Sequence, residues 1–362
     1  MIILTIHVLD AGLNGMNKCK KIIGPWTLKD AYFPKDQGKV FSCFSCAGGS
    51  TMGYKLAGFD VIGCNEIDPK IFKMYKMNHN PKYSYVMSIR DMINKDSYPD
   101  ELYNLDILDG SPPCTSFSTA GVRERDWGKS KKFAEGQALQ RLDDLFFEFI
   151  ALAKKLQPKI IIAENVAGMI KGKAKGYIKE IVKAYSDIGY DTQLFLLNAD
   201  NMGVPQSRQR VFFISRKRSL KLSKLKLKFN EKPITFGQAS NMIKDYKNPK
   251  ENIKIFDCLI LFFNKVPQGE SFGNYHPTGS YFSYVKQSYK KPIQTYTTHE
   301  PCIHPKEKRF LSYNELLICS SFPMDFKYET IKKARWAMGM SVPPFMIQRI
   351  ALEIIKQWNL RN

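Results

Sequence analysis

The chain has 362 residues, enough to bury a sizeable core and to divide into two domains. Apolar residues at 44% and aromatics at 13% exclude a disordered chain. Lys plus Arg number 55 against 34 acids, a formal charge of +21 that favours a polyanionic partner, although a merely Lys-rich soluble protein would count the same.

The eight cysteines (Cys19, Cys43, Cys46, Cys64, Cys114, Cys258, Cys302 and Cys319) are scattered and mostly embedded in apolar runs. Free thiols in a reducing compartment are expected rather than disulfides. The opening "MIILTIHVLDAG" is too short to cross a bilayer and carries neither a cationic leader nor a small-residue cleavage site. A cytoplasmic monomer with no membrane partner and no metal is expected.

Residues 1–38 are interrupted by Gly, Pro and Lys and read as an extension of unassigned structure. From Lys39 strands and helices alternate. "KVFSCF" is a strand, "STMGYKLAG" a short helix ending at Gly58, "DVIGCNEID" a second strand, and "PKIFKMYKMNH" a helix opened by Pro69. "LDILDG" is strand-like. Residues 138–156 place Leu139, Leu142, Leu145, Phe146, Phe149, Leu152, Ala153 and Leu156 on one helical face. "KIIIAENV" is a buried strand, "GYIKEIVKAYSDIG" a helix closed by Gly189, and "YDTQLFLLN" and "RVFFIS" are strands. This alternation predicts a doubly wound parallel α/β sheet over 39–215.

The rhythm stops near Ser215. Residues 216–232 are dense in Lys and Arg, and "KLKLKF" alternates Lys with Leu225, Leu227 and Phe229, as a strand with one wet cationic face would. The shift in composition predicts a second, smaller domain at 216–325. Helical character returns in "YNELLICSSF" and in "FMIQRIALEIIKQW", the latter within a C-terminal segment, 326–362, that rejoins the first domain.

In "FSCAGGSTMGYKLAG" (44–58) a strand runs through a small-residue turn into a helix, where the backbone can approach a ligand. Glu66 ends the next strand, where a carboxylate can accept both hydroxyls of a ribose. Asp91, in "SIRD", is placed to accept from an adenine amino group. The turn lacks the full GxGxxG spacing and has no P-loop lysine, which argues against a dinucleotide or ATP and for a nucleoside cofactor, S-adenosylmethionine. Cys43 and Cys46 form a Cys-x-x-Cys in the turn; redox and zinc readings are both weaker than simple packing.

"DGSPPCTSFSTAG" puts Cys114 behind Pro112 and Pro113 at a strand end, on a stiff loop that suits an aimed nucleophile; a buried small hydrophobe is its plain alternative. Glu164 and Asn165 end the apolar run "KIIIAENV", where an unpaired carboxylate would be costly. For Asn165, capping of the next helix and a functional role weigh equally. In "QSRQR", Arg208 and Arg210 lie two apart, so on one strand face both point the same way, toward Glu164, a phosphate or the Cys114 loop.

"FSCAGG", "NEID", "GSPPCTSFS", "AENV", "QSRQR", "RFLSYNELLICSSFP" and "GMSVPP" occur in the order of the motifs of DNA cytosine-C5 methyltransferases, and the chain resembles that family from about Val40 onward, apart from 216–290. The resemblance implies a Rossmann-like S-adenosylmethionine-dependent domain, a smaller target-recognition domain, and double-stranded DNA as partner, with a restriction endonuclease as a candidate companion. It implies that Cys114 attacks carbon-6 of a flipped-out cytosine so that carbon-5 can accept a methyl group. Glu164 would bond ring N3 and the exocyclic amine, Arg208 the base carbonyl or its nucleotide, and Arg210 would brace the site. Phe44 would lie against the adenine, Glu66 hold the ribose and Asp91 the adenine amine. Ser45, Gly48, Gly49, Ile67 and Pro113 complete that cofactor set, and the turn Gly339 to Pro344, with Ser341 and Val342, would pack under the methionine part. The loop "TAGVRERDWGKSKKF" would close over the base. Cys46, Thr115 and Met340 depart from the family pattern, where glycine, glutamine and asparagine are usual.

Three other readings compete: a transfer-RNA cytosine-C5 methyltransferase with the same chemistry, a catalytically silent DNA-binding relative, and a Cys-x-x-Cys oxidoreductase.

Overall fold

The computed structural model describes residues 21–113, 130–131, 140–141, 144–170, 174–247 and 253–360. Seven strands form a central sheet: β1 (Lys39–Cys43), β2 (Asp60–Asn65), β3 (Tyr83–Tyr85), β4 (Ile107–Gly110), β5 (Ile160–Val166), β6 (Tyr190–Asn198) and β7 (Gln209–Lys217). Their order across the sheet is β3-β2-β1-β4-β5-β7-β6. The pairs β1–β2, β2–β3, β1–β4 and β4–β5 are parallel, whereas β7 runs antiparallel to β5. The sheet is thus mixed where an all-parallel one was expected. The link from β6 to β7 holds a one-turn helix, Ala199–Met202, and the two-residue strand Gln206–Ser207, and is too short for the crossover that a further parallel strand needs.

The helices of the wound region are α1 (Gly49–Leu56), α2 (Pro69–Asn78), α3 (Ile89–Ile93), α4 (Asp100–Tyr103), α5 (Leu145–Leu156) and α6 (Ala174–Asp187). Asp68 caps α2 by accepting the N–H of Lys70 at 2.7 Å, with Pro69 in the first turn, where a missing N–H is no loss. The predicted helix at 138–156 begins only at Leu145. Gln140–Arg141 instead pairs antiparallel with Ser130–Lys131, and Leu139 and Leu142 lie outside the described residues. One sheet face buries Phe41, Cys43, Leu108, Ile161, Ala163 and Phe213 against Phe146, Phe149, Leu152 and Leu156 of α5 and Ile181 and Tyr185 of α6. Gly110 has no side chain because Phe149 fills the space: a Cβ there would stand 2.6 Å from its ring.

The chain divides into two compact units. The sheet unit holds 33–197, 209–227 and 350–362; the second holds the residues up to Tyr32 together with 198–208 and 228–349. The basic stretch 216–227 therefore belongs with the sheet, although its composition suggested the small domain. Its "KLKLKF" segment forms no strand, yet the alternation is real: Leu225 is buried, and Gln193 binds both its N–H and its carbonyl. The second unit carries α7 (Phe236–Met242), α8 (Asp257–Ile260), α9 (Tyr313–Cys319) and α10 (Ile331–Met340). It has its own small core of Ile255, Leu259, Phe263, Val266, Phe272, Ile303 and Phe310. Part of the N-terminal extension packs in this unit, for Trp26 is buried and its indole N–H donates to the Ser321 carbonyl at 3.0 Å. Among the described residues no helix is long and apolar enough to cross a membrane.

Candidate active site

Strand β1 pairs with β2 on one side and β4 on the other, so chain connections leave in opposite directions at the β1/β4 boundary. A crevice at the carboxyl ends of such strands is the usual ligand site of a wound sheet. Among the described residues, Phe44, Ser45, Gly48, Gly49, Glu66, Ile67, Pro113, Glu164 and Asn165 lie at these ends or in the turns that follow them.

The turn after β1 is built from left-handed backbone: Phe44 has φ 51°, Cys46 φ 46° and Gly48 φ 86°. Only Gly48 adopts it freely; the other two must be held. The Ser45 N–H donates to the Asn65 carbonyl at 3.1 Å, and the Cys46 N–H to Oε2 of Glu66 at 2.8 Å. Oε1 of Glu66 accepts the Asp68 N–H at 3.1 Å. Glu66 is thus a buried strap between the turn and β2, and burial raises its pKa while those backbone donors oppose the rise. The Ile67 N–H is a third backbone donor, and the two oxygens still keep a lone pair for a hydroxyl of a ribose. The Phe44 ring is half-buried, 6.4 Å from that of Phe149, and Gly49 opens α1. Ser45 is buried and Ile67 half-buried beside this turn's partner strand. The turn and the Glu66 carboxylate together fit the hydroxyl-bearing ribose of a nucleoside. Asp91 is exposed in the first turn of α3, where its carboxylate accepts the Ser88 hydroxyl at 2.7 Å and Ser88 accepts the Asp91 N–H at 3.1 Å. This reciprocal cap gives Asp91 a structural task that the Ser-x-x-Asp spacing at 88–91 could have signalled.

Glu164 and Arg210 meet across β5 and β7. Phe212 lies opposite Glu164 in the antiparallel register, so Arg210, two residues earlier, lies on the same face. Its Nε stands 2.8 Å from Glu164 Oε1, with about a tenth of each side chain exposed. Burial lowers the Arg210 pKa and the Glu164 charge offsets the effect. Asn165 donates from Nδ2 to the Pro112 carbonyl at 3.0 Å and accepts the Val166 N–H at 2.9 Å. It therefore fixes the chain just before Pro113 and Cys114 rather than capping the following turn. Pro113 is half-buried at the last described position before the loop; Cys114 and most of "TAGVRERDWGKSKKF" lie outside the described residues.

Arg208 does not share a face with Arg210, because β7 begins only at Gln209. It belongs to the second unit, is buried, and donates to the carbonyls of Tyr296 at 2.8 Å and Gly339 at 3.1 Å. Ser341 and Val342 are buried in that unit as well. Gly339 and Met340 end α10 and Pro344 starts α11 (Pro344–Trp358), so the predicted turn is confined to 341–343.

Sequence reasoning passed over Asp109. It is 2% exposed, its Oδ2 accepts the Ser42 hydroxyl at 2.8 Å and its Oδ1 the Tyr54 hydroxyl at 3.0 Å. Burial, helped by the Glu164 charge, pushes its pKa up to about 7 against these hydrogen bonds. It was hidden inside the strand-like "LDILDG", where only its failure to be apolar marked it.

Cys43 and Cys46 are free thiols, and burial holds the Cys43 thiol well above its ordinary pKa, the opposite of a reactive redox pair. A cavity of about 530 Å³ opens at the opposite, amino ends of the central strands, near Lys39, Asp106 and Lys159. Its lysines are already engaged, Lys159 with Asp106 at 2.8 Å and Lys35 with Asp60 at 3.1 Å, and it takes no part in this site.

The model of the C-5 cytosine-specific DNA methylase family matches residues 38–356. The Type II methyltransferase M.NgoPII of Neisseria gonorrhoeae is 35% identical over 188 residues, 51% of this chain and 49% of the relative. M.FnuDI of Fusobacterium nucleatum is 34% identical over 232 residues, 61% of each. The chain thus spans 49% and 61% of the length of these relatives. Among solved structures, an E. coli chain described as a DNA modification methyltransferase encoded within a prophage superposes with a TM-score of 0.65 at 21% identity, covering 89% of this chain and 99% of that one. That likeness concerns the fold.

Proposed function

Because the chain belongs to the C-5 cytosine-specific DNA methylase family, we propose that it is a DNA cytosine-C5 methyltransferase using S-adenosylmethionine. The observation that carries the reading is the buried Glu164–Arg210 pair at a strand end, beside a strand whose exit toward Cys114 is fixed by Asn165. Bound at the turn after β1, S-adenosylmethionine supplies an electrophilic methyl group on its sulfonium.

The residues divide the remaining work. Glu66 and the Phe44 to Gly49 turn hold and orient the nucleoside. Cys114 adds to carbon-6 of the flipped cytosine, which makes carbon-5 nucleophilic, and leaves again when the carbon-5 proton departs. Glu164 meets N3 and the exocyclic amine where charge develops, with Arg210 holding its carboxylate in one orientation. Asn165 acts as a positioning residue for the nucleophile loop, and Arg208 as a clamp inside the second unit. The basic surface serves DNA phosphates, a contribution that weakens steeply with salt. We place the protein in the cytoplasm, acting as a monomer on double-stranded DNA and paired with an endonuclease of the same specificity.

DNA is favoured over transfer RNA by the family model and by the Type II relatives. The test is transfer of label from S-adenosylmethionine to unmodified genomic DNA and to transfer RNA in direct competition. Label recovered as 5-methylcytosine in DNA, and lost in Cys114→Ser, is expected. Label in the transfer RNA instead would overturn the DNA assignment.

A further inference from the structure

Asp109 stands at a junction that the proposed chemistry does not use. Its β4 position pairs with Ser42 of β1 on one side and Ile162 of β5 on the other. Residues paired in this way share a sheet face, and Glu164, two beyond Ile162, shares it too. Two carboxyl groups therefore face the same side of adjacent strands, one step apart. Arg210 answers Glu164, but among the described residues no cation pairs with Asp109. Its partners are hydroxyls, from Ser42 just before the cofactor turn and from Ser50 and Tyr54 of α1 just after it.

Resting on the methyltransferase reading above, we propose that Asp109 is a positioning residue that works as a neutral acid. In that form it spares the site a second negative charge beside Glu164 and ties the cofactor turn to the strand that leads to Cys114. The reason is electrostatic. Thiolate formation at Cys114 and charge gathering on the cytosine ring both place negative charge in the site, and a second buried anion opposes each. The titratable groups facing Asp109 are Cys43 of β1, Tyr54 of α1, Tyr75 of α2 and Glu164 of β5, none of them cationic. Arg210 reaches it only by way of Glu164. The elevated Asp109 pKa, near 7, agrees with this arrangement and sets where the neutral form is lost.

The experiment is the pH profile of kcat/KM for methyl transfer to unmodified genomic DNA, at constant ionic strength, for wild type, Asp109→Asn and Tyr54→Phe. Melting curves and S-adenosylmethionine binding confirm that each variant is folded. Wild-type activity should fall above neutrality. Asn mimics the neutral acid in shape and charge, so Asp109→Asn should keep its activity and lose this fall, exceeding wild type about thirtyfold at pH 8.5. Tyr54→Phe removes a donor to the ionised carboxylate and should move the fall to higher pH. An Asp109→Asn profile that falls as wild type does, or a folded Asp109→Asn protein inactive at every pH, overturns the proposal. Absence of transfer by wild type at any pH would instead overturn the methyltransferase reading.

Discussion

Replacing Gly48 by alanine should damage the protein by an amount that the structure lets one work out. Gly48 has φ 86°, a conformation that costs an L-residue roughly 1–2 kcal/mol. A Cβ built there stands 2.3 Å from Nε2 and 2.5 Å from Cδ2 of His79, far inside contact distance. His79 cannot simply withdraw. It is buried, its ring centroid lies 4.7 Å from that of Tyr75, and Nδ1 is 3.3 Å from Lys55 Nζ. Overpacking of this kind costs roughly 1–3 kcal/mol, while the loss of glycine's freedom in the unfolded chain returns about 0.5–1 kcal/mol. A net loss of about 2–4 kcal/mol follows, a large share of the roughly 5–15 kcal/mol that holds a domain together. Urea unfolding followed by circular dichroism measures it. The double variant Gly48→Ala, His79→Ala removes the obstacle, and its double-mutant cycle should show a favourable coupling of about 1–3 kcal/mol. A Gly48→Ala protein within about 0.5 kcal/mol of wild type, or a cycle with no coupling, would mean that His79 does not block a Cβ at this position.

Other consequences are as direct. Arg210→Met leaves the Glu164 carboxylate buried without its partner, and should cost roughly 3–5 kcal/mol in urea unfolding while abolishing methyl transfer. Cys46→Gly relieves a left-handed residue at a position where glycine is usual in the family; the melting temperature should rise or hold, by up to about 1 kcal/mol of stability, with S-adenosylmethionine affinity retained in calorimetry. Asp109 has a folded pKa near 7 against an ordinary 3.8, so its proton is bound in the folded state and released in the unfolded one between those values. Its contribution to stability is therefore complete below about pH 4 and is lost as pH rises through 7, on the order of 2–4 kcal/mol in all. Asp109→Asn should remove that part of the pH dependence, read as the change in urea midpoint between pH 5 and pH 8.

What the sequence disclosed depended on whether a residue's task was local. Glu66 and Glu164 were legible because each breaks an apolar strand at its carboxyl end, where little except a ligand or a partner explains a carboxylate. The alternation of Leu225 with lysines was read as a strand, but the pattern reports only which side chains are buried; the backbone there bonds to Gln193 side-chain groups instead of a ladder. Arg208 and Arg210 were expected on one face, and the point where β7 begins, fixed by long-range pairing, separates them. Asp91, read as a ligand residue, also bonds Ser88 at the start of α3, a local task that stands beside that reading. Asp109 escaped notice because its meaning lies in Ser42 and Tyr54, 67 and 55 residues away.

The central claim, that this chain methylates cytosine in DNA through Cys114, is tested most directly by single-base bisulfite sequencing. The DNA would come from cells expressing the wild type or Cys114→Ser, with both proteins shown to be folded and present. Methylcytosine confined to one short sequence in the wild type and absent from the variant is the predicted result. Unmethylated DNA from cells containing folded wild type, or equal methylation in the variant, would contradict it.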